Sequence, residues 1–130
     1  GCCNEFFWSL CDVVKGIRRD ELPFAMTTYY AQSHHMLEIM LGWYIGSKTD
    51  YSVSCGKQNK YFKRYLPENV YLLYEQTFPD SSYEQFGQAI KISCRLFREI
   101  AVLIAESLGC IYPEEYEQGF MKYTKAVTDA

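Results

Sequence analysis

Apolar residues at Cys3, Phe6, Phe7, Leu10, Val13, Val14 and Ile17 recur at the three- and four-residue steps of an α-helix. This predicts an amphipathic helix over about Asn4–Gly16 with Asn4 as its cap. Pro23, a favoured first-turn residue, opens a second pattern through Met36, Leu37, Met40, Leu41 and Tyr44 that is expected to stop near Gly46. The polar, glycine-bounded stretch Ser47–Gly56 reads as a loop, and Gln58–Tyr65 as a short basic helix. Pro67 starts a helix to about Phe78, and Pro79-Asp80-Ser81-Ser82 is a turn whose Ser82 can cap the next helix. Phe86, Ala89, Ile90, Phe97, Ile100, Ala101, Ile104 and Leu108 then sustain a long helix to Gly109. Pro113 begins a last helix, Glu114–Val127, with acidic residues in its first turn. No strand-like alternation or repeat is present, so the predicted architecture is an all-α helical bundle of about five helices.

Composition narrows this picture. A chain of 130 residues, 48% hydrophobic and 17% aromatic, is long enough for one compact domain spanning 1–130 and too apolar for a disordered tail. A net charge of −3 supplies no general field for nucleic acid or an anionic membrane, and no apolar run approaches the ~20 residues needed to span a bilayer. The six cysteines lie scattered in apolar runs without a CxxC pair, which reads as reduced, cytoplasmic core residues. Helical periodicity begins almost at the first residue, a glycine, so a preceding domain is expected.

Two constellations can carry chemistry. Glu5, Trp8, Asp12, Lys15 and Arg19 recur at spacings of 3, 4, 3 and 4, a single stripe opposite the apolar face of the first helix. An aromatic ring between carboxylates suits a polyhydroxylated cation; an ordinary solvated face, with Asp12 supporting Lys15, accounts for the stripe as well. The second runs from Trp43 to Lys57 and into the basic segment beyond. Between Ser47 and Tyr65 the cations Lys48, Lys57, Lys60, Lys63 and Arg64 face Asp50 alone, and with Tyr61, Phe62 and Tyr65 they can bind phosphates or stack a base. A solvated basic helix is the alternative. His34 and His35 point to different helix faces and make no metal site by themselves, and Lys91, Arg95 and Arg98 form a stripe suited to salt bridges with Glu84 or Glu99. No phosphate-binding glycine loop, HExxH or Gly-x-Ser-x-Gly occurs.

Cys2-Cys3-Asn4-Glu5-Phe6-Phe7-Trp8, Val14 to Glu21 and Trp43 to Ser52 resemble, in order and spacing, segments of the bacterial aminoglycoside 6-adenylyltransferases. Lys63-Arg64-Tyr65-Leu66, Leu96-Phe97-Arg98-Glu99, and Leu108-Gly109 followed by Tyr112-Pro113 extend the resemblance over nearly the whole chain. It implies the helical carboxyl-terminal, substrate-binding domain of an enzyme that moves AMP from ATP to a streptomycin hydroxyl. Mg²⁺ would be held by an amino-terminal nucleotidyltransferase domain, which this chain lacks, so no metal ligand is expected here. Glu5, Trp8, Asp12, Tyr44 and Asp50 would then form the drug-binding wall, Lys15, Lys48 and Lys57 would reach the triphosphate, and Glu5 is the candidate general base. Streptomycin and ATP are the implied small-molecule partners, with no nucleic acid and no membrane. A stand-alone helical interaction module without catalytic activity is the alternative. A helical ribonuclease with an Arg-x₄-His motif is disfavoured, because Tyr29 and Tyr30 stand five residues ahead of His34 and His35.

Overall fold

The computed structural model describes residues 1–129 and is helical throughout, with no strand among the described residues. The helices are α1 (Cys2–Arg18), α2 (Leu22–Thr28), α3 (His34–Thr49), α4 (Phe62–Tyr65), α5 (Glu68–Glu75), α6 (Tyr83–Leu108) and α7 (Glu114–Asp129). None is long and apolar enough to cross a membrane. The chain divides into two compact units, one of residues 1–36 together with those from 112 on, the other of residues 37–111.

In the first unit α1 begins two residues before the predicted Asn4. Gly1 is the cap, its carbonyl accepting from the Glu5 amide at 3.0 Å, and Asn4 lies inside the helix. Nor does α1 stop at Gly16. The reason for that glycine is proximity: a Cβ there would stand 2.9 Å from Phe24 Cδ2 and 3.1 Å from Ala25 Cβ, where α1 and α2 pack. The stop is Asp20, left-handed at φ 56°, flanked by bonds from the Asp20 amide to the Ile17 carbonyl and from the Glu21 amide to the Gly16 carbonyl. This is the usual glycine-type helix terminus with an aspartate in the glycine's place. Phe6, Phe7, Leu10, Val13, Ala25, Tyr29, Tyr112 and Phe120 are this unit's buried apolar side chains. Phe7 meets Phe120 of α7, with ring centroids 6.1 Å apart.

Pro23 does open a long helical run, but the run is interrupted. Tyr29–Ser33 forms a π-helical turn between α2 and α3, widening the backbone by one residue. Its fastening is polar and buried. Ser9 donates to the Phe6 carbonyl at 3.0 Å, so its one proton is engaged and Ser33 supplies the proton of the 2.7 Å bond between the two hydroxyls. His34, 2% exposed, packs beside the rings of Tyr29 and Tyr30.

In the second unit α3 runs past the predicted stop at Gly46 as far as Thr49. Gly46 is again a close-approach glycine, here for the Tyr51 ring, and the terminus is made by Asp50 and Tyr51, at φ 55° and 57°. The predicted basic helix is broken into a 3₁₀ turn, Lys57–Asn59, with Gln58 and Asn59 left-handed, and the single α-turn of α4. Leu66 is extended because Pro67 follows it, and Pro67 then caps α5, which ends at Glu75 rather than Phe78. Ser82 caps α6 as expected, accepting from the Gln85 amide at 3.0 Å, while Asp80 Oδ1 accepts from the Ser82 amide at 2.8 Å. Gly109, at φ 71°, ends α6. The buried face of α6, from Phe86 through Phe97 to Ala101, belongs to the core of this unit with Leu41, Ile45, Phe62 and Tyr74.

Candidate functional site

Of the polar stripe of α1, Glu5 and Trp8 line a groove of about 500 Å³ together with Asn4, Ser9, Ala31, Gln32 and Met36, while Asp12, Lys15 and Arg19 lie outside it. One wall is helix α1. The other is the π-helical turn, which presents Ala31 and Gln32, together with Met36 from the first turns of α3. The buried Ser9–Ser33 bond ties these walls together beneath the groove, and the Cys2 thiol donates to the Met36 carbonyl at 3.5 Å near its end. Burial pushes that thiol up to about 11, with the neighbouring Cys3 and Glu5 adding to the effect. Cys2 therefore stays a thiol, a weak donor, across the neutral range.

Trp8 is 73% exposed, an unusual position for a residue of its size, and its indole forms one side of the groove. Glu5 stands one turn earlier, exposed, with no salt-bridge partner among the described residues. In the first turn of α1 its carboxylate is favoured by the helix dipole. Asp12 and Lys15, further along the same face, meet each other at 3.9 Å across exposed side chains, an interaction worth at most about 1 kcal/mol.

A second, smaller groove of about 270 Å³ lies on the other side of Trp8, between α1 and α7. Asn4, Phe7, Trp8 and Cys11 line it from α1, and Glu115, Tyr116, Gly119 and Phe120 from α7. The unit holding both grooves carries the whole formal charge of the chain, with eight Asp and Glu against five Lys and Arg. The other unit has eight of each and is neutral.

The remaining predicted residues lie in that other unit. Lys48 Nζ sits 5.6 Å from the centroid of the Tyr44 ring, one turn back on α3. Asp50 is exposed at the left-handed end of α3, and Lys57 is exposed at the start of the 3₁₀ turn. The basic segment uses its own rings: Tyr61 lies between Lys60, at 5.2 Å, and Arg64, at 4.5 Å, and Lys63 lies 5.9 Å from Tyr71. Phe62, read from the sequence as a possible stacking platform, is 1% exposed and packs edge-on against Tyr74 in the core. Arg95 pairs with Glu99 at 3.0 Å, as its spacing predicts. Among the described residues no three His, Cys, Asp or Glu side chains come together in a way that could hold a metal ion.

The sequence located Glu5, Trp8, Asp12 and Lys15 on one face but did not reveal the opposing wall. Ala31 and Gln32 carry no chemical signal of their own, and the π-turn that turns them toward α1 leaves no periodicity mark distinct from a regular helix. Glu115 and Tyr116 were legible only as an acidic helix start.

The fold and grooves define an all-helical domain whose acidic, aromatic face suits a cationic ligand. The streptomycin adenylyltransferase family model matches residues 1–127, and the chain belongs to that family. It is 33% identical over 126 residues to an aminoglycoside 6-adenylyltransferase of Bacillus subtilis, a match covering 97% of this chain and 44% of the relative. With the enzyme of the same name from Campylobacter jejuni it shares 34% identity over 86% of the chain. The crystal structure of an aminoglycoside 6-adenyltransferase from Bacillus subtilis superposes with a TM-score of 0.89 at 32% identity, covering 99% of this chain and 49% of that one. The chain thus spans less than half the length of these relatives.

Proposed function

We propose that this chain is the helical, drug-binding part of an enzyme that transfers AMP from ATP to a hydroxyl of streptomycin, and that the groove beside Trp8 receives the drug. The observation that carries the reading is the exposed indole of Trp8 next to Glu5, which has no salt-bridge partner among the described residues, in a unit that bears the entire net negative charge of the chain. A streptidine ring with its guanidinium groups presents an apolar face and planar cations. Trp8 stacks on the first, and Glu5 accepts two parallel N–H bonds from the second. Asn4 and Gln32 offer amide donors and acceptors for the drug's hydroxyls. Asp12 extends the acidic face by one turn; Tyr44 and Asp50 are candidates for drug contact within their own unit.

Lys48 and Lys57 are assigned to the triphosphate of ATP; Lys15, 3.9 Å from Asp12, is a phosphate-binding candidate of its own unit. Lys48 and Lys57 have no carboxylate partner among the described residues, which leaves both able to meet phosphate oxygens. Mg²⁺ would be held by carboxylates of an amino-terminal nucleotidyltransferase domain. Glu5 is the candidate base for the attacking hydroxyl's proton, being exposed and on the groove.

The test is AMP transfer by the chain joined to a nucleotidyltransferase domain. Trp8→Ala is expected to raise the KM for streptomycin roughly tenfold and leave that for ATP unchanged. Glu5→Gln is expected to lower kcat about 10²–10⁴-fold if Glu5 is the base, and to raise KM alone if it only holds a guanidinium. A joined protein that adenylylates no aminoglycoside would overturn the reading.

A further inference from the structure

The groove between α1 and α7 is separate from the drug groove beside Glu5 and shares Trp8 and Asn4 with it. We infer that it is a second cation subsite, in which Glu115 receives the second guanidinium group of a ligand that lies across Trp8 with its first at Glu5. The inference rests on the reading of the Glu5 groove as the drug site.

Three features support it. The two grooves meet at one aromatic wall, so a ligand can cross from one to the other while keeping its apolar face on the indole. Each groove contains one exposed carboxylate, Glu5 or Glu115, with no salt-bridge partner among the described residues. Glu117, by contrast, accepts from the Tyr112 hydroxyl at 2.9 Å. Tyr116 and Phe120 make the rest of the second groove largely apolar, a surface on which the apolar face of the ligand can pack. Gly119 leaves the floor open: a Cβ at that position meets nothing within 4 Å.

The site thereby discriminates by the number of cations. A ligand with two guanidinium groups engages both carboxylates at once, and a ligand with one engages only one of them at a time.

Glu115→Gln removes the charge with little change of shape, and Gly119→Leu adds a bulky side chain to the α7 side of the groove at an exposed position where a Cβ meets nothing within 4 Å. Each is titrated with streptomycin and with methylguanidine, and binding is read at the Trp8 indole N–H by NMR. Both variants are expected to weaken streptomycin roughly tenfold and to cost methylguanidine less, about twofold at most. If Glu5→Gln weakens streptomycin while both α7 variants bind it as the parent does, the inference falls and the Glu5 reading stands. An equal loss for both ligands in the α7 variants also overturns it, since a subsite that adds a second simultaneous contact must cost the two-cation ligand more than the one-cation ligand. If streptomycin moves the Trp8 signal in no variant and not in the parent, the reading and the inference fall together.

Discussion

Replacing Ser9 by alanine removes the hydroxyl that joins α1 to the π-turn. Ser33 is fully buried and its described hydrogen-bond partner is Ser9, so the substitution strands a hydroxyl in a site closed to water. Stranding a buried hydroxyl costs about 1–3 kcal/mol. Ser33→Ala is milder, because Ser9 keeps its bond to the Phe6 carbonyl, and about 0.5–1.5 kcal/mol is expected. With neither hydroxyl present nothing is stranded. The double variant should be no less stable than Ser9→Ala alone, giving a coupling of roughly 1 kcal/mol. Urea unfolding of the four proteins measures this cycle. In melting temperature Ser9→Ala should lose ~4–10 °C for a chain of this size. Strictly additive single effects, or a Ser9→Ala cost below about 0.5 kcal/mol, would refute the idea that this bond fastens the groove's second wall.

The same structure gives three further expected outcomes. Burial lowers His34 from its usual 6.5 to about 4, so the unfolded chain takes up a proton between those values that the folded chain does not. Stability should therefore be full above pH 6.5 and fall as pH drops through the range to 4, by about 3 kcal/mol more in the parent than in His34→Gln, as read by denaturant unfolding across pH. Gly16→Ala should destabilise by about 1–2 kcal/mol despite alanine's better helix propensity, because its Cβ meets Ala25 and Phe24; a gain in melting temperature would contradict the close approach of α1 and α2. At pH 8 Cys2 should alkylate about a hundredfold more slowly than an unperturbed thiol, with exposed Cys110 modified first in a mass-resolved time course.

The helices were legible in the sequence because their apolar faces repeat faithfully, and the cap at Ser82 and the stop at Gly109 are set by residue type. Two of the misread ends share one cause. Gly16 and Gly46 look like stops but serve close approach, by Phe24 and Ala25 and by the Tyr51 ring, while the true left-handed stops are aspartates, Asp20 and Asp50. A sequence shows that a glycine is present and not whether its lack of a side chain serves φ or space. The polar stripe of α1 was readable for the same reason as the apolar face. The groove was not, because its other side depends on a π-turn whose hydrogen bonds are shifted by one residue without any change in the pattern of side chains.

Binding of streptomycin against Trp8 is the claim on which the rest depends. The chain has two tryptophans, Trp8 and Trp43, and hence two indole N–H signals in a proton–nitrogen spectrum. Titration with streptomycin into the millimolar range measures even weak binding by these signals. The expected result is a saturable shift of the Trp8 resonance that is weakened by Glu5→Gln; a Trp8 resonance that stays in place throughout the titration would contradict it.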